Sequence, residues 1–555
     1  MENELPEEFD LVVIGTGFPE SCVAAAASRI GKTVLHIDPN DFYGGSWASF
    51  NLVNFCEFVS NQQRTNKEII NGQILWHANV TQTKTETEKE TLESGSEATA
   101  AEVWTQVELL EQSRRFNIDL CPKILYSSGR LVDLLVSSNI CRYAEFRAVD
   151  RVCTHFKDEV LNVPCSRSDV FNTKDLSIIE KRLLMKFLTI CLTYGQDKCD
   201  EDMALNRGKT FYEYLQSQKV TEKITTCVMQ AIAMCTRETS FEEGMEQTKR
   251  FLQSLGRYGN TPFLFPMYGC GEIPQCFCRL CAVFGGIYCL KRTITAINID
   301  ADTNLVSVEV DGKPLKCKHV VSSHGNLPTS FVERNIGVIG LGRLINSLSR
   351  AVFIATTPLG NEELNAGGGG VNLLRLVAGE REAILIQLSH YSGTCPKGTY
   401  IFHLTTPALS DNPESDLKPF VDQVFNAKEH APIYIFSAYF TITARENIAN
   451  CSFDSSTPLI CTAAPYYELD YDLSIKNSRD IFEKMYAAAE FLPRAPDPEE
   501  IIIGDEDPRA LSENHLPDDL LEQLRALEEA TESMEIEDVP EVAAEPNVAE
   551  GMDEA

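Results

Sequence analysis

The stretch VVIGTGFPES, residues 12–21, constrains the fold of this chain more than any other. An apolar run, a tight glycine turn and a run of small residues, in that order, read as strand, turn and helix. FDLVVI is a buried parallel strand, Ser21 to Ile30 a small-residue helix, and KTVLHID a second strand, so residues 9–38 make a βαβ unit. Units of this kind open dinucleotide-binding domains. The first glycine turns the chain, the second lets backbone approach a pyrophosphate, and the third lets the helix pack on the strand. Gly15 and Gly17 fill the first two roles, and Asp38 ends the second strand where a carboxylate accepts ribose hydroxyls. The third glycine is replaced by Glu20. Its side chain is expected to crowd the helix against the sheet. Its carboxylate sits near the helix N-terminus, where phosphate charge would go. Phe18 and Pro19 add bulk to the turn. Two readings stay open: a dinucleotide site, or the fold kept without its cofactor.

The next segment, DPNDFYGGSWASF (residues 38–50), resembles the one after the second strand in flavin amine oxidases. Those enzymes carry basic residues around the paired glycines, which contact cofactor phosphates. Here Gly44 and Gly45 lie between Tyr43 and Ser46, with no arginine.

A chain of 555 residues is too long for one hydrophobic core. Residues 79–103 are polar and low in aromatics, which predicts a disordered insert, with structure resuming near Phe116. Residues 174–256 read as helical. Ile224, Cys227, Val228, Ala231 and Ile232 fall on one helix face. The run Leu183–Leu192 is apolar nearly all round, so it is either a fully buried helix or one lining a greasy groove. Strand-like runs dominate residues 262–470. After Pro496 the chain is strongly acidic, with Arg509 and Arg525 as its only arginines and no lysine. There, Leu520, Leu521, Leu524 and Leu527 share one face, of either a docking helix or a solvated one.

The net charge of −32 excludes the basic footprint of a nucleic-acid binder. It suits a partner with a basic surface or tail, or serves only solubility. No run of about 18 apolar residues predicts a membrane-spanning helix. The acidic start MENELPEEFD lacks a signal pattern, so a cytosolic protein is expected. Its 19 cysteines, scattered through apolar segments, are expected to be mostly buried reduced thiols. Cys276, Cys278 and Cys281 form C-x-C-x-x-C in a helix-like apolar run without a second ligand pair, so no metal is expected.

GTGxxES followed by DPNDFYGG resembles the first conserved block of the GDP-dissociation inhibitor and Rab escort protein superfamily. Residues 122–150 (PKILYSSGRLVDLLVSSNICRYAEFRAVD) are similar to its second block, and residues 257–290 (RYGNTPFLFPMYGCGEIPQCFCRLCAVFGGIYCL) to its third. The resemblance implies an α/β fold: a flavoprotein-like, Rossmann-type multi-sheet domain with a smaller all-helical domain, carrying no flavin or other cofactor. The expected division is 1–60 with 116–173 as the N-terminal part of the flavoprotein-like domain and 61–115 as a variable, partly disordered insert. The helical domain is 174–256, the C-terminal flavoprotein-like part 257–495, and the acidic disordered tail 496–555. The insert and the C-terminal extension resemble the escort branch. The cysteine-rich QCFCRLCAVFGGIYCL does so as well.

That branch implies a non-catalytic accessory component. It binds newly made GDP-bound Rab GTPases and presents their C-terminal cysteines to the alpha/beta heterodimer of Rab geranylgeranyltransferase. It then covers the geranylgeranyl lipid and delivers the Rab to a membrane. The final MDEA holds no cysteine, so this chain is expected to be escort rather than lipid acceptor. Carried over by motif, Tyr43, Glu272 and Arg279 form the Rab-binding platform. The inhibitor branch has threonine after the paired glycines of the third block; here Ile287 stands there. Arg142 and Tyr143 either hold the Rab C-terminal region or serve the sheet. Phe187 and Leu188 are the lipid-side expectations within the helical unit. Two alternatives remain: a GDP-dissociation inhibitor, which extracts prenylated Rabs, and a flavin-dependent oxidoreductase.

Overall fold

The computed structural model describes residues 5–61, 68–77, 104–157, 159–165, 167–173, 176–195, 206–300, 302–334, 347–360, 370–426, 430–443, 458–463 and 465–494. The expected tail and the polar stretch 79–103 lie outside the described residues.

The βαβ unit is present as β1 (Glu8–Ile14), α1 (Phe18–Arg29) and β2 (Val34–Asp38). The helix starts three residues before the predicted Ser21, because Pro19 supplies a preset φ in its first turn. β1 runs parallel to β2 on one side and to strand Lys313–Ser323 on the other. Strands Ile287–Leu290 and Leu459–Thr462 extend this parallel core, and Ile294–Ile299 and Val306–Val310 add an antiparallel meander. Ala24 to Ala27 are all buried, since α1 packs against both helix Glu272–Val283 and helix Asp472–Met485. Only short side chains permit such close packing on several sides.

A second sheet has eight strands. Their order is Ile69–Trp76, Tyr434–Ile442, Leu348–Ala355, Tyr400–Pro407, Arg381–Ser389, Asn372–Ala378, Arg151–Phe156 and Glu159–Asn162. All pairings are antiparallel except Arg151–Phe156 with Asn372–Ala378. Helices Arg167–Asn172, Ile178–Leu192, Phe211–Ser217, Glu222–Cys227 and Phe241–Ser254 pack beside it. Their buried side chains share one cluster with the second sheet.

Two boundaries differ from expectation. Strand Ile69–Trp76 lies inside the expected insert and pairs with Tyr434–Ile442. Regular structure is also present before Phe116: Trp104 is buried, and Thr105 and Glu108 form a capping box that starts helix Gln106–Glu111. That S/T-x-x-E signal was readable but was masked by its polar surroundings. The residues expected on one helix face, Ile224, Cys227, Val228, Ala231 and Ile232, are all buried, but the α-helix gives way to a π-helix over Val228–Ile232. The Arg375 guanidinium donates to Met229 O at 3.3 Å and Cys235 O at 2.9 Å, tying that irregular segment to the sheet.

Candidate functional site

The glycine turn is built, but its crevice is filled from within. Gly15 has φ +99, a backbone state costly for any side chain, and a Cβ there would collide with Asn326. At Gly17 a Cβ would collide with Glu20 Oε2 and crowd Trp47. Glu20 does not prise helix from sheet, as its bulk suggested. It folds back over Gly17, fully buried, and accepts a hydrogen bond from Thr462 Oγ1. Burial raises its carboxyl to about 8, outweighing the Thr462 bond, and the nearby Glu68 and Asp38 carboxylates add to the rise. Phe18 is buried against Trp47, Phe277 and Tyr471.

Asp38 is equally committed. Thr16 donates to its Oδ2 from N–H (2.8 Å) and Oγ–H (2.7 Å), and Asn40 donates to Oδ1 from N–H (2.8 Å) and Nδ2 (2.9 Å). A carboxylate offers about four acceptor sites, so none remains for ribose. Beside the paired glycines, Asn40, Phe42, Gly45, Ser46, Phe58, Glu68 and Ile69 enclose only about 20 Å³. The residues present do not fit a dinucleotide.

The loop after β2 instead serves the surface. Gly44 has φ +101, and its N–H donates to Thr16 Oγ1 at 2.8 Å, so Asp38 and Thr16 together fix the turn that carries Tyr43. Tyr43 meets helix Glu272–Val283 at a cleft of about 340 Å³, lined also by Tyr143, Glu272, Gln275, Cys276, Arg279 and Tyr288. Glu272 and Arg279 are seven residues apart, two turns or about 10 Å along one helix face. Arg279 is exposed, with its guanidinium 4.6 Å above the Tyr143 ring. Partial burial raises the Glu272 carboxyl and the Tyr43 phenol above their ordinary values.

Tyr43, Glu272 and Arg279 are therefore brought together, and Tyr143 joins them from the turn Cys141–Tyr143. Arg142 is exposed beside it. Tyr288 was missed, although strand alternation offered a signal: Ile287 packs against the core, so its neighbour faces the other way. Tyr288 forms the floor of the cleft, its ring 6.1 Å from that of Tyr43. His36 Nε2–H donates to Gly15 O at 2.5 Å, which leaves Nδ1 to accept from the Tyr288 hydroxyl at 2.8 Å. Burial holds His36 down to about 4, so it is neutral. Of the three thiols, Cys276 donates to Tyr143 O at 3.3 Å and Cys278 lies 3.2 Å from Ser21 Oγ, while Cys281 is buried in the core.

The helical unit carries a second, apolar opening of about 290 Å³. Val170, Met185, Leu188, Leu192, Leu252 and Leu255 are among its lining residues. Helix Ile178–Leu192 serves both uses that its sequence allowed. Leu184, Phe187 and Cys191 face the core, and Met185, Leu188 and Leu192 face the opening. Of the two residues expected to face lipid, Leu188 lines this opening, whereas Phe187 is buried, its ring 6.2 Å from Phe211.

The described residues contain no helix long and apolar enough to cross a membrane. A model of the family described as GDP dissociation inhibitor matches residues 5–77 and 99–465. The Rab proteins geranylgeranyltransferase component A of Drosophila melanogaster is 56% identical over 97% of this chain and 100% of its own length. Component A 1 of Homo sapiens is 32% identical over 93% of this chain and 97% of its own. Among solved structures, a Rab GDI from Plasmodium falciparum superposes with a TM-score of 0.61 at 19% identity, over 87% of this chain and 99% of that one. The chain belongs to the GDP dissociation inhibitor family, on the branch of the Rab geranylgeranyltransferase component A proteins.

Proposed function

We propose that this chain is a Rab escort protein. It binds newly synthesised GDP-bound Rab GTPases and presents their C-terminal cysteines to the geranylgeranyltransferase alpha/beta heterodimer. It then shields the attached lipid in the cytosol until delivery to a membrane. The observation that carries this reading is the meeting of Tyr43, Glu272 and Arg279, from two distant sequence blocks, around one exposed cleft. Tyrosine and arginine on a rigid frame supply contact area and directed hydrogen bonds at little entropic cost. Glu272 and Arg279 offer opposite charges to one partner face. Arg142 and Tyr143, beside the cleft, receive the chain leading to the Rab C-terminus.

The apolar opening suits the isoprenoid. Each CH₂ it covers is worth roughly 0.8 kcal/mol, enough over a C20 chain to keep a prenylated protein soluble. Phe171, Ile178 and Ile179 stand 70%, 71% and 71% exposed on the same helical unit, and we assign them to the transferase contact. Binding the folded GTPase apart from its tail raises the tail's effective concentration at the catalytic heterodimer. In this reading the chain contributes no catalytic group.

A reconstitution tests the proposal. GDP-bound Rab, the catalytic heterodimer and labelled geranylgeranyl diphosphate are mixed with and without the chain. Label enters Rab only with the chain present if the proposal holds. Tight Rab binding without label transfer would instead indicate a GDP-dissociation inhibitor, and no Rab binding would refute both.

A further inference from the structure

Beside the cleft lies a second surface, formed by Arg147 of the second block, Tyr268 of the third and Tyr391 outside both. Tyr268 sits at φ +67, a left-handed state rarely adopted by an aromatic residue, yet its side chain is 50% exposed. Two contacts hold it there. Its N–H donates to Ser392 O at 2.9 Å, and its ring lies over Gly393, where any Cβ would collide with it. The turn His390–Ser392 is itself firmly built: Ser392 Oγ donates to Ser389 O at 2.7 Å, and Asn117 Nδ2 donates to Gly393 O at 3.0 Å. That turn presents Tyr391, 40% exposed, with the His390 ring 4.0 Å away and the Arg147 guanidinium 5.2 Å above its own ring. Asp150 orients Arg147 through a 3.0 Å ion pair. Three distant segments thus converge to hold two half-open tyrosines and an arginine outward.

The patch is continuous with the cleft. Gly269, next to Tyr268, accepts the Glu272 N–H at 3.4 Å, and Arg147 lies in the short strand Phe146–Ala148 that follows Tyr143. A stable protein interface needs about 800 Å² and 20–30 residues on each side, far more than the nine that line the cleft. A folded domain seated there must spread onto neighbouring surface. Rigidly held tyrosine and arginine are the residue types that anchor interfaces. We infer that Tyr268, Tyr391 and Arg147 form the outer part of the contact for the folded GTPase domain. Arg147 and the tyrosine hydroxyls meet carboxylate or carbonyl acceptors on that domain. This inference rests on the cleft's being the GTPase site.

The test uses the full chain and titrates GDP-bound Rab against Tyr391→Ala, Tyr391→Phe and Arg147→Ala, with Arg279→Ala as the reference for the cleft. Thermal midpoints are measured alongside. Tyr391→Ala should weaken binding about tenfold and Tyr391→Phe severalfold, the share of its hydroxyl, with midpoints unchanged. Arg147→Ala should weaken binding severalfold and flatten its salt dependence. Unchanged affinity in Tyr391→Ala and Arg147→Ala, with Arg279→Ala impaired, would overturn the inference and leave the cleft reading intact. Unchanged affinity in Arg279→Ala as well would remove the cleft itself. Should Tyr391→Ala lose affinity together with thermal stability, Arg147→Ala decides, and full affinity there overturns the inference.

Discussion

Replacing Glu20 by glutamine should stabilise the protein, and more so as pH rises. Glutamine keeps the shape: its carbonyl can accept from Thr462 Oγ1, and its amide fills the space over Gly17 that Glu20 Oε2 occupies. What it removes is a titration. Burial raises the Glu20 carboxyl from 4.5 to about 8 in the fold, while an unfolded chain releases the proton near 4.5. Between those values the folded state holds a proton that the unfolded state has lost, so stability falls with rising pH. Each pH unit in that window costs about 1.4 kcal/mol. At pH 5.5 the variant should gain only about 1 kcal/mol, and at pH 7 about 3 kcal/mol. Above pH 8 the gain levels off. Thermal midpoints of both proteins at pH 5.5, 7 and 8 measure it, with the gap expected to widen severalfold. A constant gap would refute the burial of an ionisable carboxyl at this position, and a gap that narrows would reverse the sign of the reasoning.

Other perturbations separate site from scaffold. Tyr43→Ala and Arg279→Ala should each weaken binding of GDP-bound Rab about tenfold or more in a titration, without moving the thermal midpoint. Leu188→Asp should abolish retention of prenylated Rab in a sedimentation assay while leaving unprenylated Rab binding intact, since it places a charge in an apolar opening. Phe187→Ala should instead cost about 3–5 kcal/mol of stability, because that ring belongs to the core. Arg375→Met should cost about 3 kcal/mol by leaving Glu382 and the Cys235 carbonyl without the Arg375 donor, read as a lowered thermal midpoint; Met229 O keeps the Cys235 N–H.

What was legible in the sequence follows from how local each signal was. The βαβ unit is written in adjacent residues, and strand, turn and helix appear where VVIGTGFPES placed them, apart from a helix start set by Pro19. The defect at Glu20 was visible because one position carries it. Its remedy was not, since Thr462 lies 442 residues away. For helix Ile178–Leu192 the periodicity allowed burial or a groove. Neither alone was right, because one face packs on the neighbouring helices Phe211–Ser217 and Phe241–Ser254 and the other lines the opening. Phe187 and Leu188 are sequence neighbours on different faces, and composition cannot say which face meets what. Strand Ile69–Trp76 was hidden because its partner, Tyr434–Ile442, is more than 350 residues downstream. The π-helix at Val228–Ile232 has no sequence signature; the carbonyls that Arg375 holds become evident only in three dimensions.

The filled crevice and the exposed cleft are one construction. In a dinucleotide site the acid ending β2 faces a ribose. Here Asp38 turns both oxygens inward, and Thr16 relays that anchorage to Gly44, the residue after Tyr43. The carbonyl of Gly15, the turn glycine, accepts from His36, which accepts in turn from Tyr288, the floor beneath Tyr43. Ser21, the second residue beyond Pro19, lies against Cys278 of the helix that bears Glu272 and Arg279. Gly15, Thr16, Ser21 and Asp38 thus each touch, directly or through one neighbour, an element that presents a cleft residue. Losing a ligand from a crevice ordinarily leaves backbone donors and a carboxylate unsatisfied, at about 1–3 kcal/mol for each buried group. Pairing them with one another removes that penalty and fixes the loop and helix in a single arrangement. A surface that must recognise a folded partner requires such rigidity, because every rotamer left free is an entropy cost at binding. Glu20 completes that filling: it lies over Gly17 and takes the Thr462 hydroxyl, so the crevice beneath these anchors is closed to a ligand.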